Sequence, residues 1–236
     1  MERPTQQPPL SGWKRDLVLF LDRQIYYFAR HWLAVFNALI GIYVLIPILA
    51  PVLMSSGLPY VGRLIYTVYR PACHQLPERS FFLFGPQTSY SLDELWAMGE
   101  LSGTEDIFAR QRFLGSVEVG FKMALCERDV ALYGGLLVGG LVFGLIRRWL
   151  RPLSLLCYGI CALPMAIDGG TQLFLLRESN WILRTLTGGL LGLASVWMLY
   201  PRLEEAFVEI RVQANERVGL DRSPVVGQAP GDQSPG

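Results

Sequence analysis

The chain has 236 residues, of which 51% are hydrophobic and only 17% charged, and its formal net charge is +1. That balance gives no basis for nucleic-acid binding, and the apolar residues fall in separate runs near the length of a bilayer crossing. The sequence therefore reads as an all-α integral membrane protein: a small four-helix transmembrane bundle with interfacial helices and an extended loop between the first two crossings.

Residues 1–12, MERPTQQPPLSG, are polar and proline-rich and read as a flexible N-terminus without a cleavable signal peptide. A membrane domain is expected over 13–215. Its lead-in, from Gly12 or Asp16 to about Arg30, sets Leu17, Phe20, Leu21, Ile25, Phe28 and Trp32 against Lys14, Arg15, Asp22 and Arg23, which suits an interfacial helix. The first crossing spans 33–54. After Ser55, Ser56 and Gly57 the chain leaves the apolar region, and Tyr60 to Tyr69 suits a short boundary helix ended by Pro71.

Pro86 to Gly115 reads as an outside excursion of small helices. In it, Ser91 and Glu94 fit a capping box, and Thr104 is expected to cap a second helix running to Phe113. Val117 to Leu125 fits either a short strand or the approach to a helix. The second crossing, 130–146, carries Gly134, Gly135, Gly139 and Gly140, whose small faces let helices approach closely. The third crossing, 153–176, and the fourth, 181–200, are joined by a tight turn at Arg177 to Asn180 and must be antiparallel neighbours. Pro201 is expected to end the fourth, with a short amphipathic helix from Leu203 and a disordered tail over 216–236.

With four crossings, the clusters Lys14, Arg15, Arg23, Arg30, then Arg147, Arg148, Arg151, and finally Arg202 fall on one side. The positive-inside rule assigns that side, and both termini, to the cytoplasm.

The third crossing is the unusual one. Asp168 and Gln172 lie one helical turn apart and share a face with Met165, Cys161 and Cys157, so this face should look into protein. Arg184, early in the fourth crossing, is the expected ion-pair partner of Asp168 across the turn. On the same side of the membrane the loop carries Cys73, His74, Gln75 and Arg79, and the mouth of the second crossing carries Cys126, Arg128 and Asp129 with Tyr133 a turn inside.

Three chemistries suit this collection. A metal, with zinc the natural choice, would draw its ligands from Cys73, His74, Cys126, Asp129 and Asp168. Cys73 and Cys126 would alternatively form a disulfide, either a staple or a redox pair. An anionic ligand, small or lipid-borne, would sit among Gln75, Arg79, Arg128, Tyr133, Gln172 and Arg184, with His74 and Asp168 as acid and base. The first and third would serve a membrane-embedded hydrolase or transferase; the alternatives are a noncatalytic scaffold or lipid-binding protein and a thiol redox protein. The residues do not choose between enzyme and non-enzyme. Membrane lipids are the expected partners, and no protein partner is indicated.

In these same blocks, CHQxPxRS at Cys73 to Ser80, CxRxxxxYxG at Cys126 to Gly135, and DGxxQ followed by RxSNxxxR between Asp168 and Arg184, the chain resembles a bacterial family of predicted membrane proteins, domain of unknown function 2085. In that family the second cysteine follows the first more closely, so Pro86 to Phe121 has the character of an insertion. The resemblance implies a small multi-pass protein of the bacterial cytoplasmic membrane with a shared polar site, and it supplies no reaction, cofactor or partner.

Overall fold

The structure is a computed structural model that describes residues 12–174 and 177–218. The expected N-terminal arm up to residue 11, residues 175–176 at the end of the third crossing, and the tail beyond 218 lie outside the described residues. The described residues form two compact units, one within residues 33–203 and a smaller one of residues 12–32 with 204–218. The elements in order are α1 (Trp13–Ser55), α2 (Pro59–Tyr69), β1 (Phe82–Leu83), α3 (Leu92–Ala97), α4 (Ile107–Arg112), β2 (Gly115–Ser116), β3 (Gly120–Lys122), α5 (Glu127–Ile146), α6 (Leu155–Leu173) and α7 (Trp181–Val218).

Among the described residues, α1, α5 and α7 are long and apolar enough to cross a membrane. The third expected crossing, α6, is a 19-residue helix whose last two turns carry Asp168, Thr171 and Gln172, which lowers its mean hydropathy below that of the other three. The expected interfacial lead-in is no separate element either: it is continuous with the first crossing in one 43-residue helix. In the larger unit the helices are apolar outward and polar inward. Leu39, Ile42, Leu45 and Leu49 of α1, Val138, Leu141 and Leu145 of α5, and Leu186, Leu190 and Leu193 of α7 are exposed, whereas Asp168, Glu127 and Arg184 are buried. That inversion of the soluble pattern is what a hydrocarbon solvent selects.

Helices α5 and α7 meet through glycine. A methyl group at Gly188 would lie 2.6 Å from the carbonyl oxygen of Arg128, one at Gly135 would lie 2.7 Å from that of Gly189, and one at Gly192 would collide with that of Leu132. A stripe of small residues is thus the contact itself, as the glycine pairs of the second crossing suggested for its own half. Gly134, by contrast, faces open space.

Proline shapes the bundle differently from expectation. Pro201 does not end the last helix; α7 runs through it to Val218. A helical proline leaves the carbonyl four residues earlier without its amide partner, and here Leu153 N–H donates to the Trp197 carbonyl at 3.2 Å. The same substitution occurs twice in α1. Pro47 frees the Tyr43 carbonyl, which accepts the Tyr69 hydroxyl at 3.0 Å, and Pro51 frees the Pro47 carbonyl, which accepts Ala124 N–H at 3.2 Å. These bonds fasten α2 and the segment before α5 to α1.

The excursion between β1 and β3 has its own small core of Phe82, Tyr90, Leu95, Leu101 and Val119. Its antiparallel sheet has the order β1-β3-β2, with Phe82 opposite Lys122 and Gly115 opposite Phe121. Strands of two or three residues carry no periodicity to read, and the turn before β3 needs Gly120 at φ +81°, with strand backbone where a side chain would go. The capping box of α3 forms between Ser91 and Glu94. Helix α4 begins later than expected, capped by Asp106 instead of Thr104, because the Asp106 carboxylate accepts Ala109 N–H at 2.7 Å.

In the smaller unit the first turns of α1 and the last of α7 run antiparallel. Trp32 stacks on Phe207, with ring centroids 5.2 Å apart, and donates to Glu204 at 2.9 Å. Asp22 meets Arg217 at 3.6 Å.

Two perturbations test this account. Tyr69→Phe should lower unfolding stability in detergent by about 1–2 kcal/mol, and the loss should shrink in a Pro47→Ala background, where the restored amide occupies the Tyr43 carbonyl. Gly192→Ala should cost about 1–3 kcal/mol by overpacking, whereas Gly134→Ala should be neutral or gain up to about 1 kcal/mol; thermal melts of the two proteins compare them directly.

Candidate functional site

The turn after α2 carries the first cysteine, and three hydrogen bonds hold it in place. Gln75 is fully buried and sits at φ +51°, a left-handed conformation that costs a non-glycine residue on the order of 1–3 kcal/mol. Its side-chain amide donates to the Tyr66 carbonyl at 2.9 Å, the Tyr66 hydroxyl donates to the Lys122 carbonyl, and the Lys122 ammonium donates back to the Gln75 carbonyl. The ring closes on itself. Gln75 also donates to the Ala124 carbonyl at 3.0 Å, tying the turn to the segment that enters α5. Burial holds the Lys122 pKa down at about 7.

The consequence is the meeting of Cys73 with Cys126. Cys126 is the N-cap residue of α5, and its N–H donates to the Cys73 sulfur at 3.3 Å. Both are free thiols, so the disulfide expected as one alternative is not formed in this structure. Asp129, three residues on and on the same face of the first turn, completes a group: the two sulfurs and a carboxylate oxygen lie within 4.8 Å of one another. Hydrogen bonding from Cys126 pulls the Cys73 thiol below its ordinary value against the opposing effect of burial, whereas the same bond and burial push the Cys126 thiol well up.

These three residues open on a cavity of about 340 Å³. His74, Gln75, Arg79, Arg128, Gln172, Arg184 and Met165 line it as well, so most of the residues singled out from the sequence reach one space. Tyr133 does not line it; its ring packs on Tyr43 at 4.6 Å. His74 is exposed at the cavity wall and is not one of the three grouped ligands, nor is Asp168.

The ion pairs differ from expectation. Asp168 is paired with Arg128 and, at 2.8 Å, with Arg177, and not with Arg184. Gln172 accepts from the same Arg128 nitrogen at a long 3.4 Å, and Gly169 leaves room for that guanidinium, which a methyl would approach to 3.3 Å. Arg184 instead donates to Glu127 at 3.0 Å and to the Glu78 carbonyl at 2.9 Å. Glu127 is fully buried, and its other oxygen accepts the Ser89 hydroxyl at 2.6 Å. The sequence reading missed Glu127 as a site residue. Its signal was charge balance: the half-buried Arg128 and the buried Arg184 call for two carboxylates, and a glutamate in the first turn of a helix also meets the positive end of the dipole. Cys157, expected to be buried on the polar face of α6, is exposed, while Cys161 is half-buried.

Arg79 is a further cation of the cavity wall. Among the described residues its Nε has no hydrogen-bond partner, and no carboxylate pairs with it. Burial, and after it the charge of Arg184, draw its guanidinium below the ordinary value.

Outward-facing apolar helices around an internal polar cavity define a helical membrane protein. The profile of the family described as "Predicted membrane protein (DUF2085)" matches residues 117–198, a span that contains Cys126 to Asp129, Asp168, Gln172 and Arg184. A protein of Methanocaldococcus jannaschii, called Uncharacterized protein MJ1492, is 30% identical over 156 residues, covering 62% of this chain and 73% of that one. The chain belongs to this family of predicted membrane proteins. No solved structure matches it significantly.

Removing the neighbour that stabilises the Cys73 thiolate tests the thiol pair. In metal-free Cys126→Ala protein the pH midpoint of Cys73 alkylation by iodoacetamide, followed by peptide mass, should move upward, and alkylation at neutral pH should slow; an unchanged profile would show that the two thiols do not share a proton.

Proposed function

We propose that this is a multi-pass protein of the cell membrane that holds a divalent metal of the zinc class on Cys73, Cys126 and Asp129, with the remaining coordination position open to the cavity. The observation that carries the reading is the grouping of two thiols and a carboxylate within 4.8 Å. Ligand atoms around a tetrahedral zinc sit roughly 3.5–3.8 Å apart, so the group needs to contract by only about 1 Å to bind. Soft thiolates with one carboxylate suit zinc better than magnesium or calcium. Three protein ligands with a vacant fourth position are the pattern of sites that bind an exchangeable water or ligand.

In this reading α6 is the fourth crossing. It would span about 28 Å at 1.5 Å per residue, its outward residues Leu155, Leu156, Ile160, Leu163 and Ile167 are apolar and exposed, and its polar residues Asp168 and Gln172 are turned inward. Four crossings put both termini on the side of Arg147, Arg148, Arg151 and Arg202, the cytoplasmic side by the positive-inside rule, and the cavity on the other.

A second reading, a noncatalytic scaffold, draws on the arginine pairs that satisfy Asp168 and Glu127. One experiment separates the two. Protein purified in detergent without chelator should carry about one zinc per chain by elemental mass spectrometry. Cys73→Ser and Cys126→Ser should lose it, Asp129→Asn should bind it weakly, and His74→Ala should retain it. Metal-free wild type whose intact mass is two hydrogens light would instead establish the disulfide and the scaffold.

A further inference from the structure

The metal site occupies one wall of the central cavity, and two further cavities adjoin it. One, of about 410 Å³, is almost wholly apolar and lies between α1 and α2, walled by Tyr43, Ile46, Leu64, Ile65, Val68 and Tyr69; Ala72 lines both it and the central cavity. The other, also about 410 Å³, is polar, walled by Ser89, Ser91 and Asn180 and by the carboxylate residues Glu78, Glu94 and Glu178. It shares Arg79, Gln172 and Arg184 with the central cavity. Apolar, cationic and hydroxyl-rich spaces therefore follow one another, each sharing wall residues with the next.

We propose that the three cavities together hold one anionic phospholipid, its hydrocarbon chain in the groove of Tyr43, Ile46, Leu64 and Val68, its phosphate on Arg79, and a hydroxyl-bearing head group among Ser89, Ser91 and Asn180. Charge complementarity chooses the anion. Arg184 is paired with Glu127, Arg128 and Arg177 share Asp168, and Glu78 is paired with Arg110 at 2.9 Å, so Arg79, which lines both the central and the outer cavity, makes no ion pair among the described residues. A phosphate oxygen accepts from a guanidinium in the planar, bidentate manner that this group is built for. The groove chooses a lipid over a soluble phosphate ester. Leu64 and Val68 are more than half exposed on the α2 face, so an acyl chain would cover apolar surface worth about 25 cal/mol per Å² if it were bathed in water. The outer chamber chooses a hydroxyl-bearing head with no second negative charge, because Glu78, Glu94 and Glu178 accept hydrogen bonds and repel an anion while its serines and asparagine also donate.

The lipid site shares its cavity with the metal but none of its named contacts, so binding is measured on chelator-treated and on zinc-loaded protein. Failure of lipid binding in both preparations overturns this inference alone, and failure to retain zinc overturns only the metal reading. Full-length protein in neutral detergent is titrated with dioleoyl phosphatidylglycerol, dioleoyl phosphatidylcholine and glycerol 3-phosphate, and complexes are counted by native mass spectrometry. Phosphatidylglycerol should bind at least about tenfold more tightly than the other two, equivalent to about 1.4 kcal/mol. Arg79→Gln should abolish that preference, and Val68→Trp, which fills the groove while leaving every arginine in place, should weaken phosphatidylglycerol without altering the melting temperature of the lipid-free protein. Glycerol 3-phosphate binding as tightly as the lipid would reduce the site to a phosphate-ester pocket and overturn the proposal. So would equal binding of phosphatidylcholine, or an Arg79→Gln protein that folds and keeps the preference.

Discussion

The carbonyl groups that proline strips of their helical partners hold the larger unit together. In water such a group would turn to solvent; inside a bilayer it has nowhere to turn, and leaving it unpaired costs on the order of 1–3 kcal/mol or more. The freed oxygens of Tyr43 and Pro47 are therefore obligatory acceptors, and they are filled from α2 by the Tyr69 hydroxyl and from the segment before α5 by Ala124 N–H. Two residues after Ala124 comes Cys126, and four after Tyr69 comes Cys73. The prolines of one membrane helix thereby fix, from 22 to 79 residues away in sequence, where two thiols meet.

Charge follows the same economy of pairing. Each buried carboxylate has its arginine, Glu127 with Arg184 and Asp168 with Arg128 and Arg177. Such pairs add little net stability, since desolvation consumes most of the Coulombic gain, but breaking one by losing a single partner costs about 3–5 kcal/mol. Their value here is positional. They orient Arg128, Gln172 and Arg184 along one cavity, which Arg79 also lines without an ion pair of its own among the described residues. The glycine contact of α5 with α7 makes the arrangement possible, because Gly188 lies directly over the backbone of Arg128.

The sequence revealed what depends on local pattern. Apolar runs located the membrane helices, Ser91 with Glu94 located α3, and the spacing of Asp168 and Gln172 identified the inward face of α6, on which both are buried. What it hid depends on distant partners. Nothing near Pro201 announces that Leu153 N–H, arriving from the linker after α5, will fill the Trp197 carbonyl and let the helix continue. Arg184 was expected to pair with Asp168, whereas the approach of α5 delivers Arg128 and the turn after α6 delivers Arg177. Lys122 gave no signal at all: its burial depends on the carbonyls of Gln75, 47 residues earlier, and of Gln111, to which its ammonium donates.

The circuit of Gln75, Tyr66 and Lys122 has a mechanical meaning. An open chain of contacts frays from its last member, whereas a closed one has no last member, and each link must part against the other two. A lipid bilayer bends and thins continually, and the helices standing in it tilt with it. Placed at the foot of α2 and the threshold of α5, the circuit ties the two sulfur-bearing segments directly to each other, independently of the helix ends they adjoin.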